Sequence, residues 1–206
     1  MLTLEEQKRN RVYLRLDLEG GSLLYMKAFL REILITIILA IVIFFTLQAT
    51  VQSFIIVGNS MEPSLHEGQR LLVDKVSYFF HKPERGDIIV FRPPNNSQAE
   101  YIKRVIALPD DTVEVKEEAV YVNGLPLNEP YIKDPPRYTS HEQKILENEY
   151  FVLGDNRNNS NDSHNGWTVP HQNIIGKAWL SIWPPNEWGL VLNYPLPEQL
   201  AAATQK

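Results

Sequence analysis

The chain has 206 residues, 44% of them hydrophobic, which suits one ordinary domain together with a membrane segment. Twenty basic residues against 25 acidic ones give a net charge of −5. No basic face emerges, so general nucleic-acid binding is excluded. The absence of cysteine removes disulfides, thiolate metal sites and a thiol nucleophile. The five histidines show no His-x-x-x-His spacing, so a zinc hydrolase has no support and neither metal nor cofactor is expected.

Residues 1 to about 20 are polar and mixed in charge, which predicts a loosely ordered tail. Ile33 to Gln52 carries no charge and is rich in Ile, Leu, Val and Phe. At ~1.5 Å per residue it is just long enough to cross a hydrocarbon core of ~30 Å. It is too long for the apolar region of a cleaved signal peptide, and no small-x-small cleavage site stands cleanly behind it, so it reads as an uncleaved signal anchor. Lys8, Arg9, Arg11, Arg15, Lys27 and Arg31 precede it, and the next Lys or Arg is Arg70. By the positive-inside rule the N-terminus is cytoplasmic and everything after about Ser53 is outside. The expected division is a tail over 1–30, an anchor over 31–53 and an extracytoplasmic domain over 54–206.

Beyond the anchor, β signals dominate. Leu71 to Val73, Asp87 to Phe91, Tyr101 to Leu108, Tyr150 to Leu153 and Ile174 to Trp183 are β-branched or aromatic runs bounded by turn formers. Thr112 to Lys116 alternates, as does Val120-Tyr121-Val122, which meets the turn signal Asn123-Gly124. Fourteen prolines break up any long helical pattern. The fold class predicted is mainly β, an antiparallel β-sheet domain with one N-terminal transmembrane helix. The Pro- and charge-rich stretch from Leu125 to about Asn148 reads either as a small subdomain or as an exposed excursion.

Directly after the anchor comes Gly58-Asn59-Ser60-Met61-Glu62-Pro63-Ser64-Leu65, a hydroxyl between a glycine and a turn-forming proline. A strand leading into it would set Phe54, Ile56, Gly58 and Ser60 on one face. Taken alone, Ser60 reads better as an ordinary turn serine. Lys103, within the apolar strand Tyr101-Ile102-Lys103-Arg104-Val105-Ile106, changes that reading. Burial of a lysine lowers its pKa from ~10.4, and a neutral amine can take a proton from a serine hydroxyl. The competing reading is an edge lysine that blunts aggregation, and residue types alone leave the two even. Gly154 to Ser163 supplies short polar side chains for a fixed loop. There, Asp155 and Asp162 are candidate partners for Arg104 and Arg157, and Ser160 or Ser163 is a candidate to orient the amine.

In order and spacing, Ser60 to Leu65, Arg85 to Phe91, Tyr101 to Asp111 and Gly154 to Ser163 resemble the signature boxes of type I signal peptidases. The resemblance runs from the anchor to about Trp183. It implies Ser60 as nucleophile, Lys103 as general base and Ser160 as the serine bonded to the lysine. It also implies structural ion pairs for Asp155 with Arg104 and for Asp162 with its neighbours. Phe54, Ile56, Gly58, Met61, Leu65, Tyr101 and Ile102 match substrate-binding positions. The implied activity is removal of signal peptides from exported precursors through an acyl-enzyme, with small residues at the first and third positions before the cut. The implied partners are those signal peptides and the lipid bilayer, and the implied location is a plasma or thylakoid membrane.

The chain departs from the family pattern in several places. Gly58 stands where some members have serine, Ala107 and Asp110 replace glycines, and His164 replaces a frequent arginine. Gly166-Trp167 reverses the usual Trp-Gly order. Two rivals share parts of the pattern: a self-cleaving repressor-type Ser-Lys protease, and an impaired anchored β domain that binds export substrates or partners. The first would want a DNA-binding region where this chain has its anchor.

Overall fold

The computed structural model describes residues 4–95 and 98–194, with side chains from Tyr25 onward. Helix α1 runs over Leu4–Thr50. It includes the segment expected to be a loose tail, whose Leu, Glu, Gln, Lys and Arg are good helix formers. Within it, Tyr25–Thr50 is long and apolar enough to cross a membrane. Its large apolar side chains from Ile33 to Leu47 are exposed all round, which suits a lipid surrounding. The chain divides into two compact units between Gln48 and Ala49.

The strands of the second unit pair antiparallel, with only short helical turns between them. Its strands are β1 Val51–Ile55, β2 Arg70–Asp74, β3 Ile88–Phe91, β4 Tyr101–Ala107, β5 Thr112–Lys116 and β6 Ala119–Val122. They continue as β7 Leu125–Pro126, β8 Ser140–Lys144, β9 Glu149–Leu153, β10 Val169–Pro170, β11 Ile174–Trp183 and β12 Gly189–Leu190. The strand β1 begins inside the stretch read as anchor, because β-branched apolar residues suit a strand as well as a membrane helix.

One sheet has eight strands in the order β1-β2-β11-β3-β4-β9-β10, with β12 on β11. Its central strands β3 and β4 are buried on both faces, which explains the unbroken apolar run of β3, while β4 carries Lys103 and Arg104 into the interior. On β3, Ile88 and Val90 pack with Phe54, Met61 and Leu71, while Ile89 and Phe91 pack with Val105, Tyr150 and Val152.

The other sheet has four strands in the order β7-β6-β5-β8. The stretch from Leu125 to Asn148 is therefore neither a subdomain nor an excursion. It supplies both edges of this sheet, and its Leu127 and Ile145 join a core shared with Ile106, Phe151 and Leu153. The hairpin at Asn123-Gly124 has φ of 53° and 77°, the pair of positive values that the sequence signals.

Candidate active site

After β1 the chain leaves the sheet and turns back toward β2. Ile56 N donates to Gln69 O and Gly68 N to Ile56 O, both at 2.9 Å. Gly58 has φ +84°, a conformation that side chains rarely adopt. Ser60 follows in this turn, half-buried and reachable from solvent.

Lys103 lies on β4 opposite Ile89 and is only 4% exposed. Its Nζ is 2.7 Å from Ser60 Oγ and donates to Ile102 O at 2.8 Å. Burial pulls its pKa down to about 8, although Asp162 and Asp155 act in the opposite direction. An amine that is partly neutral near neutral pH and in contact with a hydroxyl can act as its general base. Ser160, expected to bond the lysine, does not. Its Oγ is buried without a partner and sits against Gly154, where an added Cβ would come within 2.3 Å. The second contact of the amine is the Ile102 carbonyl.

The loop behind the lysine is held by charges. Arg104 donates from Nε and Nη2 to the Asp155 carboxylate at 2.9 and 2.7 Å, with both side chains fully buried. Its Nη1 donates to Gly86 O at 2.9 Å, and the guanidinium stacks 4.2 Å from the Tyr131 ring. Arg157 pairs with Glu129 at 2.5 Å rather than with either aspartate. Sequence reasoning missed that partner, since nothing local ties residue 129 to residue 157. Asp162 accepts from Gly154 N at 2.8 Å and lies 2.7 Å from His164 Nδ1, so the histidine keeps the contact expected of an arginine. Gly166 supplies φ +87° at the end of the turn Ser163–Asn165, and Trp167 packs 6.1 Å from the Phe91 ring.

A cleft of about 330 Å³ opens over Ser60 and Lys103, walled by Phe54, Tyr101 and Ile102 as expected, and also by Ile55, Val57, Glu100 and Asn161. Ile56, Met61 and Leu65, expected on this wall, sit in the core. The two-residue alternation runs on through Val57, but the face that Phe54 and Ile56 share is the core face, and Ile55 and Val57 on the other face are exposed and line the cleft. Leu65 also borders a second cavity that contains neither Ser60 nor Lys103, and Gly58 is on neither wall.

With Lys103 as the base, a pH dependence follows. Because its pKa is lowered to about 8, the neutral fraction grows as pH rises through that value. Accordingly kcat/KM should climb tenfold per unit below pH 8 and level off above it. Initial rates from pH 5.5 to 10 check this, and an acidic maximum would implicate a carboxylate or imidazole base.

A lowered lysine against an accessible serine, in a cleft bordered by a free strand, is the equipment of a serine peptidase. Comparisons with known proteins agree. The family model "Signal peptidase, peptidase S26" matches residues 27–183. The "Probable signal peptidase I-1" of Synechocystis sp. is 50% identical over 139 residues, covering 64% of this chain and 71% of that protein. "Signal peptidase IB" of Staphylococcus aureus is 35% identical over 182 residues, covering 79% of this chain and 94% of that protein. "Thylakoidal processing peptidase 1, chloroplastic" of Arabidopsis thaliana is 38% identical, covering 63% of this chain and 41% of that protein. The chain belongs to the signal peptidase family, peptidase S26, and is a serine peptidase.

Proposed function

We propose that this protein removes N-terminal signal peptides from exported precursors by a Ser60–Lys103 dyad and an acyl-enzyme. The observation that carries the reading is the 2.7 Å approach of Lys103 Nζ to Ser60 Oγ, with the amine's pKa lowered by burial. Neutral Nζ takes the hydroxyl proton as Oγ bonds to the scissile carbonyl carbon. The carbonyl oxygen becomes an oxyanion, which the Ser60 N–H can receive. The protonated amine then gives its proton to the leaving nitrogen as the C–N bond breaks. Water, deprotonated by the same amine, releases the acyl group.

The substrate would add as an extended strand beside β1, which is an edge of its sheet. The small residues before the cut that the resemblance implies would enter the cleft beside Tyr101 and Ile102. Full-length protein in detergent should cut a synthetic precursor peptide after an Ala-x-Ala sequence. Replacing the alanine nearest the cut by Phe should lower kcat/KM at least about 10²-fold, since one misfit side chain in a tight pocket costs several kcal/mol. Equal cleavage of the two peptides would remove the substrate reading.

In a membrane, plasma or thylakoid, α1 would be the single anchor with its basic flank cytoplasmic and the β unit extracytoplasmic. Exposed Trp179, Trp183 and Trp188 suit a lipid headgroup layer. Protease added outside spheroplasts should digest the β unit and spare the segment before Lys27. Protection of the β unit would reverse the orientation.

A further inference from the structure

Among the described residues, the Ser60 N–H donates to no protein atom, so it is free to meet an oxyanion. Gly58 has no side chain to supply a second donor, which leaves the aim of this one N–H to the backbone alone.

That aim is set by the neighbouring carbonyl. The Asn59–Ser60 peptide is trans, so the Asn59 C=O and the Ser60 N–H lie in one plane and point in opposite directions. Whatever holds the carbonyl therefore aims the N–H. Asn59 O accepts from Asn156 Nδ2 at 3.1 Å and from Glu62 N at 3.2 Å. On the other side of the nucleophile, Ser60 O accepts from Asn156 N at 3.0 Å. Asn156 thus grips both peptide units that flank Ser60, one with its side chain and one with its backbone.

The grip is rigid because Asn156 sits between two anchored neighbours. Asp155 is fully buried against Arg104, and Arg157 is buried against Glu129. Gly154 lets the loop come close, since a Cβ there would lie 2.4 Å from Ser60 O. Asn159 adds a third tie, donating from Nδ2 to Asn59 Oδ1 at 3.2 Å.

We infer that Asn156 is a positioning residue for the oxyanion donor, acting through the Asn59–Ser60 peptide plane. The inference rests on Ser60 being the nucleophile. It predicts that removing the side-chain donor of Asn156 weakens transition-state binding and leaves ground-state binding alone.

The experiment compares full-length Asn156→Asp and Asn156→Ala with the parent in three assays. These are peptide cleavage, inhibition by a peptide aldehyde and binding of the acyl-side product peptide. In the aldehyde adduct Ser60 Oγ adds to the carbonyl carbon, its proton passes to Lys103, and the oxygen is left anionic where the N–H must receive it. Asp keeps the size of Asn but only accepts hydrogen bonds when ionised, so it tests donation rather than bulk.

Both variants should lose about 10- to 100-fold in kcat, less than the ~10²–10³ of deleting a donor outright, because the N–H is misaimed and not removed. Aldehyde affinity should fall by the same factor. KM and product-peptide affinity should stay as in the parent in both variants, and so should the pH limb near 8 in Asn156→Ala, which adds no charge. The inference is overturned if Asn156→Asp keeps parental kcat and aldehyde affinity. It is equally overturned if aldehyde and product affinities fall together, which is the mark of a loop that only supports the fold. Ser60→Ala in parallel separates the two levels, because turnover by that variant would sink the nucleophile assignment itself.

Discussion

Lys103→Met should abolish peptide cleavage and raise the melting temperature in the same variant. The two effects have one cause. The amine is 4% exposed and its pKa is lowered from 10.5 to about 8, so folding opposes its charged form. Between those values the unfolded chain holds more protons than the folded one, and stability rises with pH across that window. Below pH 8 the burial costs about 3 kcal/mol, a destabilisation that methionine, similar in length and uncharged, does not impose. Activity should fall roughly 10⁴-fold or more, as when one member of a cooperating set is removed. Lys103→Arg should be equally inactive but less stable, because guanidinium stays charged and cannot serve as a base. Ser60→Ala should be inactive with stability little changed. Calorimetry of the full chain in detergent at pH 7 and pH 10 checks the stability effects, and the gain from methionine should shrink at the higher pH. An active Lys103→Met, or one less stable than the parent at pH 7, would contradict this.

Asp155→Ala should be the most destabilising change among those behind the site. It leaves Arg104 fully buried with two carbonyls and the Tyr131 face in place of a carboxylate. Breaking one side of a buried pair costs about 3–5 kcal/mol because the remaining charge is uncompensated. Replacing both partners by apolar residues, as in Arg104→Met with Asp155→Leu, should recover much of that loss. Denaturant unfolding measures both. A cost below about 1 kcal/mol for Asp155→Ala would mean that Arg104 reaches water or another anion.

The strand β3 was legible as a continuous apolar run, and β5 because it alternates with its valines inward. The Asn123-Gly124 turn announces itself in the same way. The turn at Glu117-Glu118 does not, since two glutamates adopt φ of 50° and 57° without any glycine to mark them. Residue types alone left Ser60 as a turn serine and Lys103 even between a base and an edge lysine, and it was the order and spacing of the four motifs that singled out the pair. The membrane-length run was legible by composition, but its end was not, since Val51 to Ile55 suits either environment. What failed was the choice of face. The alternation of β1 runs on through Val57, but the face that Phe54 and Ile56 share is the core face, and the turn that follows buries Met61 there too. Long-range pairings such as Glu129 with Arg157, and the contact of Lys103 with its own strand's carbonyl rather than Ser160, have no sequence period to reveal them.

The central claim is that Ser60 is acylated with Lys103 as its base. Acid quench of a single turnover, followed by mass mapping, tests it most directly. The peptide containing Ser60 should carry the acyl group, and its rate of formation should rise with pH through about 8, the value set by the buried amine. An adduct on any other residue, or a rate unchanged between pH 6 and pH 9, would contradict the claim.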